Sequence, residues 1–307
     1  MKNLHIETPL IKSLPLSGRT KKDIFLKLEN IQPSGSFKIR GLGHLCQTAM
    51  GKGVGHFISS SGGNAGCAAA YAGSVLKIPT TVFVPTTTST FFINYIKTLG
   101  AEVKVVGEVW DETHLEAKSF SEKMQGLYIP PFNHPLIWEG HASMIEEVAT
   151  QMEKPDLVVV SVGGGGLFSG VVKGLQKVNW KDVPVLAVET RGADSFSQSL
   201  KAGKLITLDK VTSIAKSLGA KTVAKHALEL TNIHPVSSLV VDDSQAIRSC
   251  IDFTHDHRYM VEPACGASLS VAYNSTDAIA EAKSVLIIVC GGLGFDLDDF
   301  CKWNSKV

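Results

Sequence analysis

The sequence predicts an α/β fold of two open, twisted, mostly parallel sheets flanked by helices, and three observations carry that prediction. Short apolar runs of strand length alternate with helical stretches; the alternation stops at Pro130 and Pro131 and then restarts; and strand ends at Ser59, Ser161 and Cys290 lead into glycine-bearing loops. Two alternating blocks imply two parallel sheets. In such sheets ligands gather at the carboxyl ends of strands, so these loops are the first candidates for one binding cleft.

In the first block 57–59 reads as a strand, the alanine-rich stretch 65–76 as a packed helix, and 81–84 as a β-branched strand closed by Pro85. A helical stretch then runs to Leu99, with Gly100 as its C-cap, and 102–106 supplies a third strand, giving βαβαβ. In the second block a helix over 142–152 precedes a strand at 157–162, a four-glycine loop, a helix over 167–177 and a strand at 185–188. Helices near 244–256 and 267–282 and a buried strand at 285–290, ending in Gly291 and Gly292, complete the pattern.

At 307 residues the chain is about twice a typical domain length, which suits two lobes or one large α/β unit. Basic residues number 30 and acidic residues 29, so neither the balance nor any basic run points to nucleic acid or an anionic membrane; a small molecule is the default ligand. No apolar run approaches the ~18 residues that span a bilayer. The first ten residues carry Glu7 and no apolar core, unlike a secretory signal, and the six cysteines form no CxxC pair, which together suggest a reduced, cytoplasmic setting. Of these cysteines only Cys290 calls for a functional explanation. The ten histidines show no HExxH and no Cys/His spacing set, so no transition-metal site is indicated. His255 and His257 read as a polar helix end, and His134 and His141 bracket a Trp138-Glu139-Gly140 segment that reads as packing. Only 19% of residues are charged, against about 25% in an average globular domain, which leads us to expect an apolar subunit interface and a homodimer.

The four glycines Gly163, Gly164, Gly165 and Gly166 lie between a predicted buried strand and a helix, where bare amides and the helix N-terminus attract phosphate. Two functional readings compete here with simple close packing. One is a dinucleotide fingerprint, with Gly164, Gly166 and Ser169 approximating GxGxxG and Glu189 ending the next strand; no further dehydrogenase-like constellation accompanies it. The other comes from a second segment, Leu28-Glu29-Asn30-Ile31-Gln32-Pro33-Ser34-Gly35-Ser36-Phe37-Lys38-Ile39-Arg40-Gly41. It resembles the pyridoxal-phosphate lysine segment of fold-type II enzymes, specifically the eukaryotic-type serine/threonine dehydratases. Ser60 to Gly66, Gly163 to Leu167, Glu189 to Ala193 and Val289 to Gly292 are similar to that family's other motifs, in the same order, and the likeness runs from Thr8-Pro9-Leu10 to Gly292.

The resemblance implies a role for each matching residue. Lys38 would form the Schiff base with the cofactor aldehyde and, once displaced by the substrate amine, remove the Cα proton; desolvation under Phe37 would favour the free amine this needs. Phe37 would lie against the cofactor ring, Asn64 would hydrogen-bond its hydroxyl, and Gly163 to Gly166 with Leu167 would cradle its phosphate. Ser61, Gly62, Asn64 and Ala65 would receive the substrate carboxylate at a helix start. Cys290 would face the pyridine nitrogen as a weak, neutral donor, which suits β-elimination better than long-lived carbanion chemistry. Glu189, Ala193, Ser195, Leu218 and Ala220 fall at the family's cation site; one carboxylate among neutral oxygens suits a monovalent ion, and potassium is the expectation. Residues 36–133 would form a small substrate-binding domain, and 1–35 with 134–307 the large catalytic domain that binds pyridoxal phosphate.

The implied reaction is dehydration and deamination of L-serine to pyruvate and ammonia, and of L-threonine to 2-oxobutanoate. Rival readings are a serine racemase or a β-replacement synthase on the same scaffold, a catalytically silent cofactor-binding regulator, and a nicotinamide dehydrogenase. Two departures bear on these. Gly62 stands where many serine dehydratases have alanine, and the chain reads Leu293-Gly294-Phe295-Asp296 after Gly292, with fifteen residues from Gly292 to its end. No regulatory domain is expected to follow.

Overall fold

The computed structural model describes residues 2–274, 277–294 and 297–304. Phe295, Asp296 and the last three residues, where the tail departs from the family pattern, lie outside the described residues. Ten strands are defined among the described residues: β1 (Leu10–Lys12), β2 (Asp23–Leu28), β3 (Phe57–Ser59), β4 (Thr80–Val84), β5 (Glu102–Val105), β6 (Leu127–Ile129), β7 (Leu157–Ser161), β8 (Val185–Thr190), β9 (Val236–Val241) and β10 (Ser284–Val289). The chain forms two compact units, Met1–Ile6 with Gln32–Gly140 and Glu7–Ile31 with His141–Val307.

The first unit is built on a four-stranded parallel sheet in the order β5-β4-β3-β6. β3 and β4 are buried at every position, the signature of parallel strands covered on both faces. The chain steps outward from β3 through β4 to β5, then returns to the other side of β3 as β6. The topological switch point therefore lies between β3 and β6, where Ser59 pairs with Ile129 and the two strands release their following loops side by side. The predicted alanine-rich helix runs Asn64–Leu76, and its small residues allow a close approach. Ala65, Ala68, Ala69 and Ala72 bury against Leu42, Leu45 and neighbours of the Lys38–Met50 helix in one core. Gly140 explains the Trp138-Glu139-Gly140 segment. A Cβ there would sit 2.4 Å from the Arg40 carbonyl oxygen and 2.8 Å from His44 Cβ, so only glycine lets its helix meet the Lys38 helix this closely.

The second unit carries a six-stranded sheet in the order β1-β2-β10-β7-β8-β9, parallel except for β1 against β2. From β7 the chain moves through β8 to β9 on one side, and β10 returns on the other, which puts the switch point between β7 and β10. Predicted and observed elements differ in places. The helix expected over 267–282 spans Pro263–Tyr273, and Asp277–Ile279 is a separate 3-10 turn. Pro263 fits the first helical turn, where its missing N–H costs nothing, and this start is hidden by the uniformly small composition that follows. The helix expected over 142–152 also begins earlier on a proline, spanning Pro135–Gln151.

Candidate active site

In the first unit Lys38 is the first residue of its helix and directly follows a turn in which Gly35 adopts φ +77°. Its ammonium donates to the Pro131 carbonyl oxygen at 2.5 Å, in the loop after β6, and lies 5.2 Å from the centroid of the Phe37 ring. Phe37 is itself buried, so the side chain beside this amine is apolar on one face. Buried Lys27 offers no competing nucleophile, because its ammonium is held by Glu147 at 2.7 Å, Gln151 at 2.9 Å and the Thr8 carbonyl at 2.8 Å.

The loop after β3 leads into the helix that begins at Asn64, whose first-turn amides have no intrahelical acceptor and suit an anion such as a carboxylate. The loop folds hard against that turn: a Cβ on Gly66 would lie 1.9 Å from the Ser61 carbonyl oxygen. Asn64 and Ala65 are buried there, and Ser61 Oγ accepts from the Gly63 amide at 3.4 Å. A Cβ on Gly62 would come within 2.7 Å of both Thr88 Oγ1 and Thr88 Cγ2, so the space opened by glycine at this position is taken by Thr88. One set of partners escaped the sequence. Ser60 Oγ lies 2.7 Å from Tyr128 Oη, which lies 2.6 Å from His114 Nδ1. Burial pushes Tyr128 up and His114 down, so both are neutral near pH 7 and the loop is braced by uncharged groups.

In the second unit the glycine loop follows β7, and its helix spans Gly166–Lys177. Gly165 has φ +86°, and a Cβ there would meet Ala227 Cβ at 2.6 Å and Val223 Cγ2 at 3.0 Å. A Cβ on Gly163 would meet Leu218 Cα at 2.9 Å and the Ser217 carbonyl oxygen at 3.0 Å. The neighbouring segments thus close on the loop and exclude a side chain at Gly163 and at Gly165, while the first amides of the helix lack intrahelical acceptors and suit an anion. Ser169, the third element of the dinucleotide fingerprint, donates to the Gly165 carbonyl at 2.7 Å and is committed to its own helix. Cys290 follows β10 immediately, so the glycine loop and the thiol occupy the ends of adjacent strands at the switch point. Hydrogen bonding to Cys265 and burial, with the Glu262 charge adding to them, push the Cys290 thiol well above its ordinary pKa and keep it neutral.

Glu189, in β8, is fully buried. Its carboxylate accepts from the Phe196 amide at 2.9 Å and the Ser197 amide at 2.7 Å, in the first turn of the Ser195–Ala202 helix. Ser195 Oγ donates to the Ala220 carbonyl at 3.0 Å, the Ala220 amide to the Leu218 carbonyl at 2.8 Å, and the Ala193 amide to the Thr190 carbonyl at 2.9 Å. Hydrogen bonds thus link Ser195, Ala220 and Leu218 to one another, whereas Glu189 and Ala193 bond to residues beside the predicted ligands. Burial outweighs the two amides and pushes Glu189 up to about 8. Among the described residues no cluster of three or more His, Cys, Asp or Glu forms a metal site. Two of the histidines singled out in the sequence have partners within the fold: His257 Nε2 meets Ser13 Oγ at 2.8 Å, and His134 Nδ1 accepts from the Leu136 amide at 3.1 Å.

Each unit by itself fits a part of pyridoxal phosphate: in the second, a loop whose Gly163 and Gly165 leave no room for a Cβ suits its phosphate and the neutral Cys290 thiol its ring nitrogen, and in the first an amine beside a buried aromatic suits its aldehyde. Two parallel-sheet units with glycine-bearing loops at their switch points have the architecture of fold-type II pyridoxal-phosphate enzymes. Residues 1–291 match the family described as pyridoxal-phosphate dependent enzyme, and the chain belongs to it. Among curated relatives it is 48% identical over 304 residues to the L-serine dehydratase/L-threonine deaminase of Homo sapiens, an alignment covering 96% of this chain and 93% of the relative. Among solved structures it is similar to a fungal L-serine ammonia-lyase from Rhizomucor miehei, at 36% identity and TM-score 0.95 over 99% of both chains. A maize serine racemase shares the fold at 26% identity and TM-score 0.90, covering 98% of this chain and 92% of that one.

Proposed function

We propose that this protein eliminates water from L-serine, and from L-threonine, to yield a 2-oxo acid and ammonia. The observation that carries elimination over transamination is the neutral Cys290 thiol at the end of β10, and elimination over racemisation is supported by the greater likeness to the serine ammonia-lyase, at 36% identity, than to the serine racemase, at 26%. The substrates are supported by the 48% identical relative, whose name includes both.

When bound, pyridoxal phosphate supplies an electron sink for the pair left at Cα. The chain supplies the rest. The Lys38 amine anchors the cofactor and then takes the Cα proton at Nζ; the Asn64 side chain holds the ring hydroxyl. The amides of Gly163 to Leu167 hold the phosphate, and the loop of Ser61, Gly62, Asn64 and Ala65 orients the substrate carboxylate. A thiol that stays protonated gives the ring nitrogen only a neutral partner, so the electron pair is best discharged by loss of the β-hydroxyl as water. The aminoacrylate or aminocrotonate released then hydrolyses. This reading makes 36–133 the small substrate-binding domain, which also brings Lys38 and Asn64 to the cofactor, and 1–35 with 134–307 the large catalytic domain that binds its phosphate and ring nitrogen.

Three further assignments belong to it. A potassium ion at Glu189, Ala193, Ser195, Leu218 and Ala220 is supported by the hydrogen bonds that link Ser195, Ala220 and Leu218 and by a buried carboxyl that needs positive charge to ionise. A homodimer is supported by the low charged fraction. A cytoplasmic location is supported by six free cysteines, five of them buried; no described helix is long and apolar enough to cross a membrane.

The test is purified protein with L-serine and no added sulfide or indole. Pyruvate and ammonia are expected, and Lys38→Ala should abolish both turnover and the yellow lysine-linked chromophore. D-Serine forming faster than pyruvate would identify a racemase, and bound cofactor without either product a silent regulator.

A further inference from the structure

Nothing in its sequence context singles out Cys265, a small residue in the run Ala264-Cys265-Gly266-Ala267. In the folded chain its sulfur makes three polar contacts with one short segment. Cys265 Sγ accepts from the Gly291 amide at 3.1 Å, its thiol donates to the Gly291 carbonyl at 3.0 Å, and it lies 3.3 Å from Cys290 Sγ. A thiol carries one proton. With the Cys265 proton given to the Gly291 carbonyl, the contact between the two sulfurs is made by the proton of Cys290.

The helix that bears Cys265 is fixed to the ends of both neighbouring strands. Ser161 Oγ, the last residue of β7, donates to the Ala264 carbonyl at 2.5 Å, and Ser268 Oγ lies 3.4 Å from the Ile288 carbonyl in β10. Cys265 and Cys290 are both buried, so no water competes for these contacts. The Gly291 N–H and C=O belong to the two peptide units on either side of its Cα, so these two bonds hold both units, and the unit shared with Cys290 helps set the direction in which the Cys290 side chain leaves the strand.

We propose that Cys265 is a positioning residue for Cys290: it pins the two peptide units that flank the Gly291 Cα, and it accepts the Cys290 proton until the cofactor's ring nitrogen takes its place. The proposal rests on the reading that Cys290 faces that nitrogen. Cys265 touches neither substrate nor cofactor in this role; it acts through Cys290 alone.

The experiment compares wild type, Cys265→Ala, Cys265→Ser, Cys290→Ala and the double alanine variant, titrating each apoprotein with pyridoxal phosphate and reading the Kd and the absorbance maximum of the bound cofactor. Cys265→Ala should weaken cofactor binding about three- to tenfold, the effect of one or so lost neutral hydrogen bonds, and shift the absorbance maximum in the direction that Cys290→Ala does. Cys265→Ser, which keeps a donor and an acceptor, should restore both. In the Cys290→Ala background Cys265→Ala should add nothing. If Cys265→Ala does not fold, Cys265→Val, which keeps the volume without the hydrogen bonds, replaces it. A lowered melting temperature with unmoved Kd and spectrum, or effects of the two alanine variants that simply add, would overturn the proposal. A shift in Cys290→Ala with none in Cys265→Ala defeats the proposal alone, whereas an unmoved Cys290→Ala defeats the reading beneath it as well.

Discussion

Cys290 is the side chain proposed to select among the reactions open to one cofactor. Its thiol is held neutral by burial, by Cys265 and by nearby Glu262, so the ring nitrogen it is proposed to face gains no charge from it. Replacing Cys290 by Asp places an ionisable acceptor there and favours the protonated ring, which stabilises the Cα carbanion long enough for reprotonation. For Cys290→Asp we expect a slower elimination and about a tenfold rise in the share of racemised or transaminated product, one decade for each 1.36 kcal/mol of barrier. Cys290→Ser should remain a dehydratase, since a hydroxyl is also a neutral donor. The check is the chiral amino-acid and oxo-acid product ratio from L-serine, with cofactor loading verified by absorbance; an unchanged ratio in fully loaded Asp protein would mean that Cys290 is not the nitrogen's partner. At this scale the sequence exposed Lys38, Asn64 and the glycines, because each sits in a contiguous motif. It concealed Thr88 opposite Gly62, Tyr128 and His114 behind Ser60, and Cys265 beside Cys290, because those partners meet only through the fold.

Elements act here mainly through their ends. The helices Asn64–Leu76 and Gly166–Lys177 open without a side-chain cap, an arrangement that suits an anion, whereas the amides opening Ser195–Ala202 hold the Glu189 carboxylate. That carboxyl carries a pH signature. Burial raises it from 4.5 to about 8, so between those values the folded chain retains a proton that the unfolded chain has lost. Stability contributed by this group therefore falls as pH rises from 4.5 towards about 8, and remains low above it. A cation that pairs with the ionised form opposes the loss. Potassium should accordingly raise the melting temperature more at about pH 9 than at about pH 6, and more than sodium does, while Glu189→Gln should flatten the difference. A potassium effect equal at both pH values, or activity lost to a divalent chelator and restored by Mg²⁺, would sink the assignment. Strand and helix order was legible from periodicity and turn residues. Helix starts at Pro135 and Pro263 were less so, since proline reads as a breaker until it is known to occupy a first turn.

For the whole molecule, a chain with 19% charged residues has less polar cover than a monomer of its size ordinarily carries, and we expect sedimentation at micromolar concentration to give a two-subunit mass. A monomer with full activity would count against this. The sequence by itself determined the α/β class, the parallel pattern in each block and the motifs of the family, since these depend on local periodicity and on residues adjacent in the chain. The tertiary structure alone decided which strands are neighbours. β6 returns beside β3, and β10 enters between β2 and β7, and these returns create the switch points that place the loops after β3 and β7. It also decided why particular glycines are required, because the atoms that would strike a Cβ at Gly66, Gly140 or Gly163 belong to carbonyls and side chains brought there by folding. The physical reason is common to both: strand order and close packing are set by burial summed over contacts distant in sequence, whereas propensity and motif are written within a few residues of one another.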